Sequence, residues 1–223
     1  MTCWGSVTLM LEDRNLLAKN KAQRAKSVQY VKDVVTMVKE LDGKMVSVVP
    51  ATVGKIIPDG RPEEEWEWAV EGMKEIYAYS ESVGILLGIE PINRFETYFI
   101  NRGDQALALA EAVGPNCGVC LDSFHMNIEE PDIEAAIRRT GDKLIHVQVS
   151  ENYRGTPGTG QTNWAAWKRG LEAINYSGTI SIESFTPNVK ELAGAVCIWK
   201  PLVPSQDGFA KEGLEFLKKW AAE

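Results

Sequence analysis

A chain of 223 residues that is 44% apolar and 25% charged has the composition of an ordinary globular domain with one sizeable core. Its 31 acidic residues outnumber 24 basic ones, for a net charge of −7, so no nucleic-acid partner is expected, because like charges repel. No apolar run reaches the roughly 18 residues a membrane span needs, and the start Met1-Thr2-Cys3-Trp4-Gly5 lacks the basic and apolar regions of a signal peptide, so a cytoplasmic protein without a membrane partner is expected.

The first β-like run covers 3–9. A helix is predicted over 22–41 from the stripe Ala22, Ala25, Val28, Val31, Val35, Val38 and Leu41, with Gly43 ending it as a C′ residue. A strand at 44–50 precedes an acidic-start helix over 63–83 that shows Trp66, Val70, Met73 and Tyr77 on one face. Strands at 85–91, 117–122, 143–149 and 178–184 then alternate with helices at 103–113, 131–140, 163–174 and 207–222. Pro131 is expected at N1 of its helix and Gly141 just past the end.

Six β-then-α units in strict alternation imply a parallel sheet covered by helices, in one domain over 1–223. No glycine-rich phosphate loop of the doubly wound folds follows any strand. Instead, polar residues gather at strand C-terminal ends: Glu90, Asp122, His146 with Gln148, and Glu183. That is where a TIM-type (β/α) barrel builds its active site, so the fold class is α/β barrel, with six of the eight usual units in this chain.

Three acids at three strand ends are costly to bury together unless they hold a cation or share protons. Oxygen-rich ligation suits Mg²⁺ or Mn²⁺, with Co²⁺ possible where a nitrogen joins. The competing reading has these acids capping the helices that follow. His146 and Gln148, two apart on a strand, share a face, so both enter the barrel if either does. Cys117 and Cys120 spell C-x-x-C, but three apart on a strand they point to opposite faces, and a structural role is expected rather than redox or zinc chemistry.

Four segments resemble one family. Glu90-Pro91-Ile92-Asn93-Arg94-Phe95-Glu96 resembles the E-x-x-N-R-F-E motif of the ketose 3-epimerases, the D-tagatose and D-psicose (allulose) 3-epimerases of the xylose-isomerase-like TIM barrel superfamily. Leu121 to Glu130 resembles their L-D-T-F-H-M-N-I-E-E segment, Glu151 to Gly160 their loop E-x-N-R-x-x-P-G-x-G, and Ile182-Glu183-Ser184-Phe185 their M-E-P-F. The resemblance implies Glu90, Asp122 and Glu183 as metal ligands, with Glu90 and Glu183 also the acid–base pair. It implies Glu96, His125 and Arg154 as groups that hold substrate hydroxyls. The fourth ligand of the epimerases, a His six residues before the loop Arg, falls on Gln148. The similar hydroxypyruvate isomerases use Gln there, so Gln148 is the expected ligand and His146 its neighbour. The likeness begins only at the family's third strand.

The expected chemistry is removal of the proton beside a ketose carbonyl, with the enediolate stabilised by a divalent cation and the proton returned by a second glutamate. Return to the other face of the same carbon is epimerisation; return to the neighbouring carbon is isomerisation. Two alternatives use the same strand ends. One is a hydroxypyruvate-type isomerase, an inosose dehydratase or a C-glycoside-cleaving subunit; the other is a non-catalytic barrel remnant that binds a sugar or partner. The open edges of a six-stranded barrel lead us to expect a homo-oligomer, or a second chain covering the gap.

Overall fold

In a computed structural model the chain is described over residues 4–9, by backbone alone, and over 14–223; Cys3 of the expected first strand lies outside the described residues. The strands are β1 (Trp4–Leu9), β2 (Met45–Thr52), β3 (Leu86–Ile89), β4 (Gly118–Asp122), β5 (Leu144–Val149) and β6 (Ile180–Ile182). They pair in chain order, and every ladder is parallel. The helices are α1 (Lys21–Glu40), α2 (Pro62–Val83), α3 (Gly103–Val113), α4 (Ser123–Glu129), α5 (Ile133–Thr140), α6 (Trp164–Ala173), α7 (Lys190–Ala195) and α8 (Gln206–Ala222). Among the described residues no ladder joins β6 to β1, and no helix is long and apolar enough to cross a membrane.

Strand alternation sorts the side chains. Val46, Val48, Leu87, Ile89, Val119, Leu121, Val147 and Val149 face the helices and form one buried cluster with Val31 and Val35 of α1, Met73 and Ile76 of α2, Leu109 of α3, Ile137 of α5 and Trp167 of α6. Each large side chain so buried contributes about 1.5–3 kcal/mol. The residues between them, Ser47, Glu90, Cys120, Asp122, His146, Gln148, Ser181 and Glu183, therefore point the other way, into the lumen. The hydrophobic core lies between sheet and helices, and the lumen is polar.

One irregularity shapes the lumen floor. Val119 pairs with Leu144 but Cys120 pairs with His146, so Ile145 is the extra residue of a bulge. Ile145 fills the space in front of two glycines: a Cβ would lie 3.2 Å from its side chain at Gly88 and 2.5 Å at Gly118.

Several local expectations need correction. Asp42, not Gly43, takes the left-handed conformation after α1 (φ 56°). The Gly43 N–H reaches back to Val38 O (2.7 Å) and the Asp42 N–H to Lys39 O (3.0 Å), which places Gly43 one residue beyond C′ in a Schellman ending. Pro131 is not N1 of α5. Asp132 is the N-cap, because its carboxylate accepts from Ala135 N (3.0 Å), so the helix starts at Ile133. On α1 the expected stripe is buried from Val28 to Val38, while Ala22, Ala25 and Leu41 are exposed. On α2 the buried line runs through Glu65, Ala69, Met73, Ile76 and Ser80, with Trp66, Val70 and Tyr77 at its margin. Helices α4 and α7 are additions to the expected set; both are too short to display a periodic stripe.

Candidate active site

The barrel's C-terminal end brings four elements of the expected site together. Glu90 follows β3 directly, Asp122 closes β4, Gln148 lies in β5 and Glu183 follows β6; Glu90, Asp122 and Gln148 are buried and Glu183 is partly so. Asp122 combines both roles weighed from the sequence. It caps α4 through its Oδ1, which accepts from Phe124 N (2.7 Å), and offers Oδ2 to the lumen.

Arg154 sits among these acids. Its Nη1 donates to Asp122 Oδ2 (2.6 Å) and lies 2.7 Å from Glu183 Oε2, and its guanidinium stands over the rings of Phe124 (4.2 Å) and Phe185 (5.2 Å). Its backbone is left-handed (φ 64°), a conformation that costs a non-glycine residue about 1 kcal/mol or more. Glu151 holds that turn. The Arg154 N–H donates to Glu151 O (2.9 Å) and the Glu151 N–H to Gly155 O (3.0 Å). The fully buried Glu151 carboxylate accepts from Gly158 N (2.7 Å), Trp164 Nε1 (2.8 Å), Thr162 N (3.0 Å) and Asn152 N (3.3 Å). Burial alone would raise the pKa of this carboxyl, but the donors from Trp164, Thr162 and Gly158 outweigh burial and hold it below its ordinary value.

The remaining expected residues fall into two groups. His125 and Glu96 join the site through Asn93: Asn93 N donates to His125 Nδ1 (3.1 Å), and Asn93 Nδ2 donates to Glu96 Oε1 (2.8 Å). A backbone N–H can only donate, so Nδ1 is the acceptor and the ring proton sits on Nε2. That Nε2 lies 3.0 Å from Arg154 Nη2, so the imidazole and the guanidinium are in direct contact at the site. Glu90, Asp122 and His125 offer atoms within 4.8 Å of one another, a possible cation triad. A protonated Nε2 makes His125 a donor rather than a ligand. His146 stands lower in the lumen, its Nε2 2.8 Å from Ser181 Oγ. Gln148 presents its amide nitrogen to Glu183 Oε1 (2.8 Å) and accepts from the Cys120 thiol at Oε1 (3.2 Å). Cys117 is packed in the helix-facing cluster, so the two thiols do point apart.

Electrostatics follow from crowding. Burial first, and then the charge of Asp122, push Glu90 up to about 8, against a hydrogen bond from Ser47 Oγ (3.1 Å). Burial also lifts Glu183 well above the carboxylate range, with Arg154 opposing and Asp122 and Glu90 adding. Burial disfavours the charge of Asp122 as well, but Arg154 wins and holds its pKa down. Glu96 is raised by burial against Arg154 and Asn93. Burial, helped by Arg154, drops His125 to about 3, and burial drops His146 to about 4, so both rings are neutral at pH 7.

Sequence reasoning left Ser47, Asn93, Cys120 and Glu151 without roles. Asn93 and Glu151 lie inside two of the family-like segments, which was the available signal. Ser47 and Cys120 had none, since each sits mid-strand in an apolar run.

Comparison with known proteins matches this geometry. A family model described as xylose isomerase-like TIM barrel matches residues 2–220. A probable ketose 3-epimerase of Synechocystis sp. is 39% identical over 132 residues, 59% of this chain and 46% of that protein, so the match spans about half its length. An L-ribulose 3-epimerase of Methylomonas sp. is 32% identical over 199 residues, covering 87% of this chain and 69% of that one. A solved L-ribulose 3-epimerase superposes with a TM-score of 0.94 at 28% identity, over 100% of this chain and 75% of the other. The parallel sheet, the acids at its C-terminal end and the family model together place the chain in the xylose isomerase-like TIM barrel family.

Proposed function

We propose that this chain catalyses epimerisation beside the carbonyl of a ketose with a divalent metal ion, as a ketose 3-epimerase does. The observation that carries the reading is the convergence of Glu90, Asp122 and Glu183 from three strands in a buried polar lumen around Arg154.

The donor set fits a cation. Three ionised carboxylates against one guanidinium leave two negative charges, which one Mn²⁺, Mg²⁺ or Co²⁺ cancels, and oxygen donors suit these hard ions. Glu90, Asp122 and Glu183 would hold it. Gln148 completes the set if its amide turns over and presents Oε1 in place of the nitrogen now facing Glu183. A cation held there would polarise the substrate carbonyl and offset charge developing on its oxygens as the adjacent proton leaves.

The protein's own groups carry the proton. Glu90, just after β3, and Glu183, just after β6, follow strands separated by two others, so they approach a bound sugar from different sides. One takes the proton and the other returns one to the opposite face. Ser47 orients Glu90, while Gln148 and Arg154 orient Glu183. His125, Arg154 and Glu96 hold substrate hydroxyls.

The metal-stripped protein tested with a panel of ketoses and hydroxypyruvate, each with Mn²⁺, Mg²⁺ or Co²⁺, decides the matter by deuterium uptake from solvent. No uptake into any ketose with any of the three would end this reading. The amide of Gln148 supports a second reading, isomerisation of a hydroxypyruvate-type substrate, which the same panel scores directly. Among the described residues β1 and β6 are the edges of the sheet, which motivates one further proposal, a homo-oligomer or a second chain that covers them. Light scattering across a dilution series tests it; an active monomer at nanomolar concentration would exclude it.

A further inference from the structure

Beneath the acids, the lumen holds a polar side chain, Cys120, to which the proposed reaction gives no part. Ser47 Oγ donates to Glu90 Oε2 (3.1 Å). The thiol donates to Gln148 Oε1 (3.2 Å), and Gln148 Nε2 donates to Glu183 Oε1 (2.8 Å). Ser47 is on β2 and Cys120 on β4. The hydroxyl proton goes to Glu90 and the thiol proton to Gln148, so the hydrogen-bonded line is Cys120–Gln148–Glu183, with Cys120 and Gln148 buried.

We infer that Cys120 is a positioning residue that sets the orientation of the Gln148 amide and, through it, the carboxylate of Glu183. This rests on the function proposed above. A primary amide rotates freely about its last bond, and its two ends are nearly equal in size, so shape alone does not select which end faces Glu183. A hydrogen-bond partner on the far side does. The thiol meets that far side, and it is itself placed by strand pairing: Cys120 and Asp122 lie opposite His146 and Gln148 in the β4–β5 register. A supporting group of this kind typically changes metal affinity or turnover about 10- to 100-fold when removed.

The test compares Cys120→Ala, which removes the donor, with Cys120→Ser, which keeps one in nearly the same place. Mn²⁺ affinity is read from the electron paramagnetic resonance of the free ion, and kcat and KM from solvent deuterium uptake into the ketose. Cys120→Ala is expected to lose about 10-fold or more in kcat with KM little changed, since Cys120 does not meet substrate, and to lose no Mn²⁺ affinity, because the orientation the thiol holds turns Gln148 Oε1 away from the cation. Cys120→Ser is expected to recover most of the kcat. Equal losses in the two variants reduce Cys120 to packing and overturn the inference, as does an Ala variant that matches the parent. A double-mutant cycle of Cys120→Ala with Gln148→Ala in urea reads the link without reference to activity, and additive effects also overturn it. Failure of the proposed function shows differently: the parent itself takes up no deuterium, while the cycle still reports whether the two side chains are coupled.

Discussion

Glu151→Gln is the substitution in which the structure predicts a large effect from a change of one atom. The carboxylate is fully buried and takes four donors, Gly158 N and Trp164 Nε1 on Oε1 and Thr162 N and Asn152 N on Oε2. An amide has a single oxygen, so whichever pair it keeps, the other two N–H groups then face an NH₂. Hydrogen bonds to a charged group contribute about 1.5–3 kcal/mol each, so losing two costs roughly 3–6 kcal/mol, a large part of a domain's total stability of about 5–15 kcal/mol. If the loop opens locally instead, the cost is capped at the free energy of that opening, and Arg154 loses the turn that aims it. Urea unfolding is therefore to be paired with the KM for ketose. At least one must move clearly: a lower midpoint, or a raised KM with a near-native midpoint. Asn152→Ala serves as control, since its side chain accepts from Gln161 N (2.8 Å), and about 0.5–1.5 kcal/mol is at stake there. If Glu151→Gln keeps both the midpoint and the KM of the parent, the account of Glu151 as the anchor of this loop is wrong.

Three other outcomes are expected. Glu183→Gln, which keeps shape but cannot take a proton, abolishes deuterium uptake while leaving some ketose binding; uptake at the parent rate removes Glu183 from the proton path. Gln148→Ala weakens Mn²⁺ binding about 10-fold or more, and His146→Ala, which bonds Ser181 lower in the lumen, has the smaller effect; a reversed order in calorimetric titration makes His146 the ligand. In metal-stripped protein, Glu90 is raised from 4.5 to about 8, so the folded state binds the extra proton. Its contribution is complete below pH 4.5 and is lost as pH rises through about 8, and Glu183 moves the same way. The urea midpoint therefore falls across that window and saturating Mn²⁺ removes the fall; a flat profile without metal would contradict the crowding of these acids.

The alternation of apolar strands and striped helices was enough to predict a parallel barrel, because helix packing demands apolar residues on a fixed face and so writes itself into the sequence. Helix ends were less legible. At Asp42 and Asp132 the decisive factor is one hydrogen bond to one backbone group, and Gly43 and Pro131, one residue away, carry the louder signal. The acids at the strand ends were legible for a physical reason: Glu90, Asp122 and Glu183 interrupt apolar runs that had no structural use for a charge. Ser47 and Cys120 were not, since a small, weakly polar residue passes for part of an apolar strand, and only the register across the lumen discloses its partner. Glu151 hid among loop residues, where an acid is unremarkable until its burial is known.

The separation of a polar lumen from the apolar layer under the helices has an evolutionary consequence. Substitutions at Ser47, Cys120, His146, Gln148 or Ser181 alter what surrounds the reacting carbon, while the residues that keep helices on the sheet, such as Val46, Leu121 and Val147, stay as they are. Selection acting on the reaction and selection acting on persistence of the fold thus draw on alternate letters of the same strands. A lineage can exchange a ligand, or test a new proton donor, at little risk to the scaffold, and Ile145 closing the floor beneath confines such trials to the open end of the barrel.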